Sequence, residues 1–282
     1  MPSSLANKWV LITGASSGFG AAAAHAFARE GAKLLLGARR LDLLEQVAAA
    51  CRKAGAPAAH AHPLDVTTTA SVTDFVKQAR GLTDTLDVSQ TASVEKFAQW
   101  ARTFTDRVDV LVNNAGGALG LDTVAEGKDE DWETMMQTNV LGVLRVTRAV
   151  LPLMQNNPGS SILNIGSIAG RVAYEGGAAY CAAKAGELQI TRALRLELNG
   201  TGIRVGSIDP GLAETEFALV RFKGDATRAK KTYEGMTPLN GDDIAEALVW
   251  CASRPPHVCI DEILIKATDQ AAIHKVFRRP AK

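Results

Sequence analysis

No stretch of the 282 residues approaches the run of ~20 apolar residues needed to cross a bilayer. The opening Met-Pro-Ser-Ser-Leu-Ala-Asn-Lys also lacks the basic start and long apolar core of a secretory signal. No excess of charge is present either: 31 Lys and Arg face 30 Asp and Glu, which argues against nucleic-acid or polybasic membrane partners. Cysteine is scarce. Cys51, Cys181, Cys251 and Cys259 have neither the close pairing of a zinc site nor the density of a disulfide scaffold. Together these absences predict a cytoplasmic protein with reduced thiols and no metal. The length suits one large α/β domain over residues 1–282 with a full core.

What is present is concentrated first in Val10 to Gly20, Val-Leu-Ile-Thr-Gly-Ala-Ser-Ser-Gly-Phe-Gly. Three apolar residues read as the end of a buried strand, and the glycine-rich turn runs into an alanine-rich helix. A turn of this kind brings backbone N–H groups and the positive end of a helix to a pyrophosphate. The candidate cradle is Thr13, Gly14, Ser16, Ser17, Gly18, Phe19 and Gly20. A second strand, Lys33 to Gly37, leads to Ala38-Arg39-Arg40, and no Asp or Glu stands at its end. In dinucleotide folds a carboxylate there suits a 2′-hydroxyl and an arginine suits a 2′-phosphate, so Arg39 and Arg40 favour NADP(H). The alternative is a solvated pair opening the next helix.

Leu41 to Lys53 has helical spacing and stops at Gly55-Ala56-Pro57, and a third strand is expected over Ala58 to Leu64. Asp65-Val-Thr-Thr-Thr-Ala-Ser-Val-Thr-Asp-Phe is then echoed 22 residues later by Asp87-Val-Ser-Gln-Thr-Ala-Ser-Val-Glu-Lys-Phe. One duplication is too little for a repeat architecture and reads as an insertion around 79–92. Ser93 to Phe104 reads as an amphipathic helix, Asp109 to Gly116 as a fourth strand and its loop, and Glu130 to Val150 as one long helix stopped by Pro152. Asn139 is a polar residue in the apolar middle of that helix, and a buried amide needs partners.

The fifth strand, Ser161-Ile-Leu-Asn-Ile-Gly-Ser-Ile, delivers Ser167 at its C-terminal end, where open α/β sheets place ligands. Thirteen residues on, Tyr180-Cys-Ala-Ala-Lys184 opens a helix running to about Leu198. Residues four apart share a helical face, so an ammonium beside the phenol is expected to pull the Tyr180 pKa down from ~10 toward neutrality and fit it for proton exchange. A further strand, Arg204 to Ile208, leads to Asp209-Pro210-Gly211-Leu-Ala-Glu-Thr215.

The Thr-Gly-x3-Gly-x-Gly turn, Asn113-Asn-Ala-Gly116, Ser167 and Tyr-x3-Lys together resemble the short-chain dehydrogenase/reductase family. The resemblance covers about Lys8 to Ile265, with only the Gly81 region out of pattern. It implies a Rossmann-type, doubly wound parallel sheet of about seven strands with helices on both faces, and a C-terminal tail from about 267. It implies that Asp65 and Val66 sit under the adenine, with Asp87 as the alternative. Asn114, Ala115 and Gly116 would lie near the adenosine side, and Pro210, Gly211 and Thr215 along the nicotinamide. Asn139 would hold a water leading to the lysine, and Lys184 the ribose hydroxyls.

Thr13 to Gly20, Gly37 to Arg40, Asp131 to Met136, Pro210 to Phe217 and Val220 to Asp225 are most similar to the NADP-dependent 3-hydroxy acid dehydrogenase group, with serine 3-dehydrogenase-like and L-allo-threonine dehydrogenase members. That likeness implies hydride transfer at C3 of a small 3-hydroxy acid by a homotetramer. A neutral-ketone carbonyl reductase and an idle cofactor-binding module remain the alternatives. A hydroxy acid needs a cation for its carboxylate, and the candidates are Arg171, Arg221 and Lys223, each equally readable as a surface charge.

Overall fold

The computed structural model describes residues 3–63, 91–155 and 157–280. Strand β1 (Trp9–Thr13) and β2 (Lys33–Ala38) are near-continuous apolar runs, the signature of parallel strands covered on both faces. With β3 (Ala59–Pro63), β4 (Val110–Asn113), β5 (Ser161–Ile165), β6 (Arg204–Pro210) and β7 (Glu262–Ile265) they form a seven-stranded sheet of order β3-β2-β1-β4-β5-β6-β7. Every pairing in it is parallel. Ile12 pairs with Leu36 on one side and Val112 on the other. The chain order reverses between β1 and β4, which opens a crevice at the C-terminal ends of the strands.

Helices α1 (Gly18–Arg29), α2 (Leu41–Lys53), α3 (Thr91–Arg102), α4 (Asp129–Met136), α5 (Gly142–Val150) and α6 (Ala178–Glu197) are followed by two short ones, α7 (Phe217–Arg221) and α8 (Ala226–Lys231), and by α9 (Gly241–Ala252). The core gathers Leu11, Ile12, Leu34 to Leu36, Phe27, Phe97 and Leu111, all fully buried. The edge strand β3 keeps His60 and His62 among Trp9, Phe97, Trp100 and Phe104, so aromatic stacking closes that side of the sheet. Among the described residues no helix is long and apolar enough to cross a membrane, no group of His, Cys, Asp and Glu could hold a metal, and the four cysteines are free.

One expectation is corrected. The helix expected over Glu130 to Val150 is interrupted by a π-helical turn, Gln137–Leu141, between α4 and α5. Asn139 sits in that turn, where its amide reaches the Gly117 backbone, and a widened turn is the way a helix accommodates such a side chain. The C-terminal segment turns back on its own chain: β8 (Gln270–Ala272) and β9 (Lys275–Val276) form an antiparallel hairpin. Gln270 accepts a hydrogen bond from Leu212 N at 2.7 Å, and Ile273 packs on the cluster containing Tyr180. Asp65, Val66, Asp87 and residues 79–90 of the expected insertion lie outside the described residues.

Candidate active site

The glycine turn is shaped by backbone packing. Gly18 has φ of 53°, a left-handed conformation that side chains resist, and a Cβ on Gly20 would stand 2.3 Å from the Gly14 carbonyl oxygen. Thr13 and Asn114 tie this turn to β4. Thr13 Oγ1 accepts from the backbone of Asn114 and Ala115 at 3.1 and 3.0 Å, while Asn114 Nδ2 donates to the Thr13 and Gly14 carbonyls. Ser17 begins α1 without capping it, so the first N–H groups of the helix face the crevice unsatisfied by that side chain. Phe19 is half-buried against the core, and Ser16 is half-buried. Arg39 is exposed at the end of β2. Arg40 donates to Ser17 Oγ at 2.7 Å and pairs with Glu216 at 2.6 Å. That pair spans from the β2 end to the loop after β6. Thr215 lies in this loop, its Cβ 3.6 Å from where a Cβ on Gly18 would be, and Pro210 and Gly211 lead into it.

Ser167 follows β5, where it caps a single 3-10 turn by accepting from Ala169 N at 3.1 Å. Its hydroxyl acts on the phenol of Tyr180, in the first turn of α6, in the direction that favours phenolate. Tyr180 is buried beside Phe217, with the Arg221 guanidinium 5.1 Å from its ring centre. Burial pushes the phenol up to about 12, against the Ser167 hydroxyl and the Arg221 charge, which favour phenolate, while Glu187 and Cys181 add to the rise. The expectation that Lys184 acidifies Tyr180 is therefore corrected for the free protein. Lys184 is itself buried, and an ammonium taken out of water must find acceptors: Nζ donates to the Ile165 carbonyl at 2.6 Å and lies 4.0 Å from Glu187 Oε2. Burial lowers its pKa, opposed by Glu187 and Asp209.

Asn139 has its amide fully used, donating to Met135 O and Gly117 O at 2.8 and 2.9 Å and accepting from Gly117 N at 3.2 Å. Gly116 packs directly beneath its oxygen. A cleft next to Tyr180 is lined by Leu119, Trp132, Met135, Gly176 and Ala179. The three candidate anion partners separate clearly. Arg171 is clamped by Asp209 and Glu262, and Lys223 pairs with Asp131 at 2.8 Å, so both already face carboxylates. Arg221 remains: it touches the hydroxyl of Tyr174, stands over the rings of Tyr174, Tyr180 and Phe217, and its buried Nε has no partner.

The family model for short chain dehydrogenase matches residues 8–88 and 82–225, two segments that overlap within the stretch where the sequence repeats itself. The chain is 39% identical over 280 residues to the NADP-dependent 3-hydroxy acid dehydrogenase of Schizosaccharomyces pombe, covering 99% of this chain and 100% of that one. The chain belongs to the short-chain dehydrogenase family. It is also 41% identical over 265 residues to the sulfoacetaldehyde reductase of Chromohalobacter salexigens, covering 93% of this chain and 94% of that one. The closed form of serine dehydrogenase complexed with NADP⁺ superposes with a TM-score of 0.80 at 34% identity, over 96% of this chain and 100% of that one.

In this short-chain dehydrogenase, sequence reasoning passed over several residues that shape the site. Glu187 stands three residues after Lys184 in an otherwise apolar helix face, a spacing that brings side chains together and was readable. Tyr174, Gln270 and Asp209 carry no such local signal, because their partners Arg221, Leu212 and Arg171 lie far away in the chain.

Proposed function

We propose that the protein oxidises the C3 hydroxyl of a small 3-hydroxy acid with NADP⁺ and reduces the matching 3-oxo acid with NADPH. The observation that carries the reading is Arg221. It is a half-buried guanidinium over the Tyr180 ring with no carboxylate paired to it among the described residues, and a substrate carboxylate whose neighbouring hydroxyl reaches Tyr180 would meet a cation there.

The crevice fits the cofactor. A side chain at Gly20 would collide with the turn, and Ser17, Arg39 and Arg40 supply 2′-phosphate donors at a strand end that carries no carboxylate. Thr13, Gly14, Ser16, Gly18, Phe19 and Gly20 would surround the pyrophosphate, with Asp65, Val66, Asn114, Ala115 and Gly116 on the adenosine side. Pro210, Gly211, Thr215 and Lys184 would hold the nicotinamide riboside. NADP(H), when bound, takes up or supplies the hydride. Tyr180 as phenolate accepts the hydroxyl proton, Ser167 holds the substrate oxygen as its charge changes, and Asn139 fixes the Gly117 loop beside them. Lys184, brought to the ribose, adds its charge near Tyr180.

The test is NADP⁺ reduction across serine, the threonine stereoisomers and 3-hydroxyisobutyrate, set against neutral secondary alcohols. Arg221→Met should raise KM for the acids roughly ten- to a hundredfold, the ~1.5–3 kcal/mol of a charged hydrogen bond, and leave neutral alcohols within about twofold. Equal effects on both classes would remove the reading. A guanidinium accepts a sulfonate as readily as a carboxylate, so the likeness to a sulfoacetaldehyde reductase supports sulfoacetaldehyde with NADPH as the second substrate to try.

The chain folds as one domain, works in the cytoplasm and assembles as a homotetramer in this reading. Free cysteines and an even charge balance support the compartment. The exposed apolar side chains of Met136, Leu144 and Leu196, on α4, α5 and α6, support the assembly.

A further inference from the structure

Glu187 is 1% exposed, and its Oε2 has no hydrogen-bond partner. Leaving one oxygen of a buried carboxylate bare is costly, and an apolar residue would fill the same place without that cost. The carboxylate is held by a buried polar chain crossing from the sheet into α6. Asn113 Nδ2 donates to Asn164 Oδ1 at 2.8 Å, Asn164 Nδ2 donates to Thr191 Oγ1 at 2.8 Å, and the Thr191 hydroxyl shares its one proton between the Glu187 carbonyl at 3.0 Å and Glu187 Oε1 at 3.2 Å. Asn164 and Thr191 are both fully buried. With Oε1 on the Thr191 side, Oε2 is turned to Lys184 Nζ at 4.0 Å.

We infer that Glu187 is a positioning residue that keeps Lys184 as an ammonium and sets where its Nζ rests between the Ile165 carbonyl and the crevice. The inference rests on the reading of Tyr180 and Lys184 given above. The groups facing the pair are Tyr180 and Cys181 on the same helix, Asp209 on β6 with Arg171 clamped behind it, and Arg221 over Tyr180. Burial acts on both partners toward neutrality, raising Glu187 and lowering Lys184, and each charge opposes that drift in the other. Asp209 is a second anion acting on Lys184, but Arg171 neutralises it, so Glu187 is the uncompensated one. Taking that charge away lowers the Lys184 pKa further, and the lysine loses its proton at a lower pH.

The test is the pH profile of kcat/KM for NADP⁺-dependent oxidation of 3-hydroxyisobutyrate, a substrate whose only ionisable group titrates in acid. Glu187→Gln should move the alkaline limb down by about one pH unit or more, a roughly tenfold loss at fixed pH above it. NADP⁺ affinity measured by calorimetry should weaken over the same range. Glu187→Asp should fall between parent and Gln. Glu187→Val should show the same limb shift with a Tm at or above the parent's, because it removes a buried carboxylate with a bare oxygen. A limb that stays in place in folded Gln and Val variants overturns the inference, and so does a Val variant of lower Tm, which would mark the carboxylate as structural. Lys184→Met separates the two levels. Full turnover in that variant would overturn the reading of the site as well, whereas loss of turnover with an unmoved limb in the Glu187 variants overturns the inference alone.

Discussion

Tyr180 is held between a hydrophobic wall that keeps its phenol neutral and a hydroxyl and a guanidinium that favour the anion, and in the free protein the wall prevails, at a pKa of about 12. Alcohol oxidation needs the phenolate, so kcat/KM in that direction should climb with pH across the weakly alkaline range. Carbonyl reduction uses the neutral phenol as its acid and should be favoured toward neutral pH. Tyr180→Phe should lower kcat by about 10²–10⁴ in both directions while NADP⁺ binding stays within a few-fold by calorimetry. Turnover surviving at the parent's level would end the assignment. Tyr180, Ser167 and Lys184 were legible because their spacing is local to one helix and one strand end. The electrostatics at Tyr180 were not, because Arg221 arrives from α7, forty-one residues downstream.

Among the elements, the loop after β6 links both ends of the crevice. Glu216 follows Thr215 and reaches back to Arg40, and the Arg40 guanidinium draws its carboxyl below the usual range. A 2′-phosphate on Arg40 would have to displace this carboxylate, so the ion pair competes with the cofactor. Both side chains are nearly half exposed, and such pairs are worth ~0–1 kcal/mol. Glu216→Gln should therefore tighten NADP⁺ binding by no more than about fivefold and leave NAD⁺ binding unchanged, as read by fluorescence titration at low salt. Weaker NADP⁺ binding in the variant would place Arg40 elsewhere. The sequence did place α2 and the main strands to within a residue or two, since alternation and burial are read from neighbouring positions. It did not show the π turn, because periodicity over Glu130 to Val150 runs on past one inserted residue.

For the whole molecule, the sheet order puts the ends of β1, β2, β4, β5 and β6 on one crevice, and the C-terminal hairpin closes back on it through Gln270 and Ile273. Met136, Leu144 and Leu196 on α4 to α6 are exposed, and the proposed tetramer would bury them. Light scattering on the purified chain should give about four times the 29.8 kDa chain mass. A monomer at micromolar concentration would refute the tetramer. Replacing Leu144 and Leu196 by lysine should shift the mass downward without altering the fold, since both are already exposed.

The succession of strands and helices along the chain, the glycine-rich turn and the residues delivered to strand ends were determined by the sequence, because each depends on contacts within a few positions. Only the tertiary structure decided which charges meet. Arg171 and Lys223 meet Asp209, Glu262 and Asp131, Lys184 is turned to Ile165 and Glu187, and Arg221 stands over the phenol. Ion pairing and pKa follow from distance through space and from the water removed by packing, and neither quantity is written in the spacing of residues along the chain.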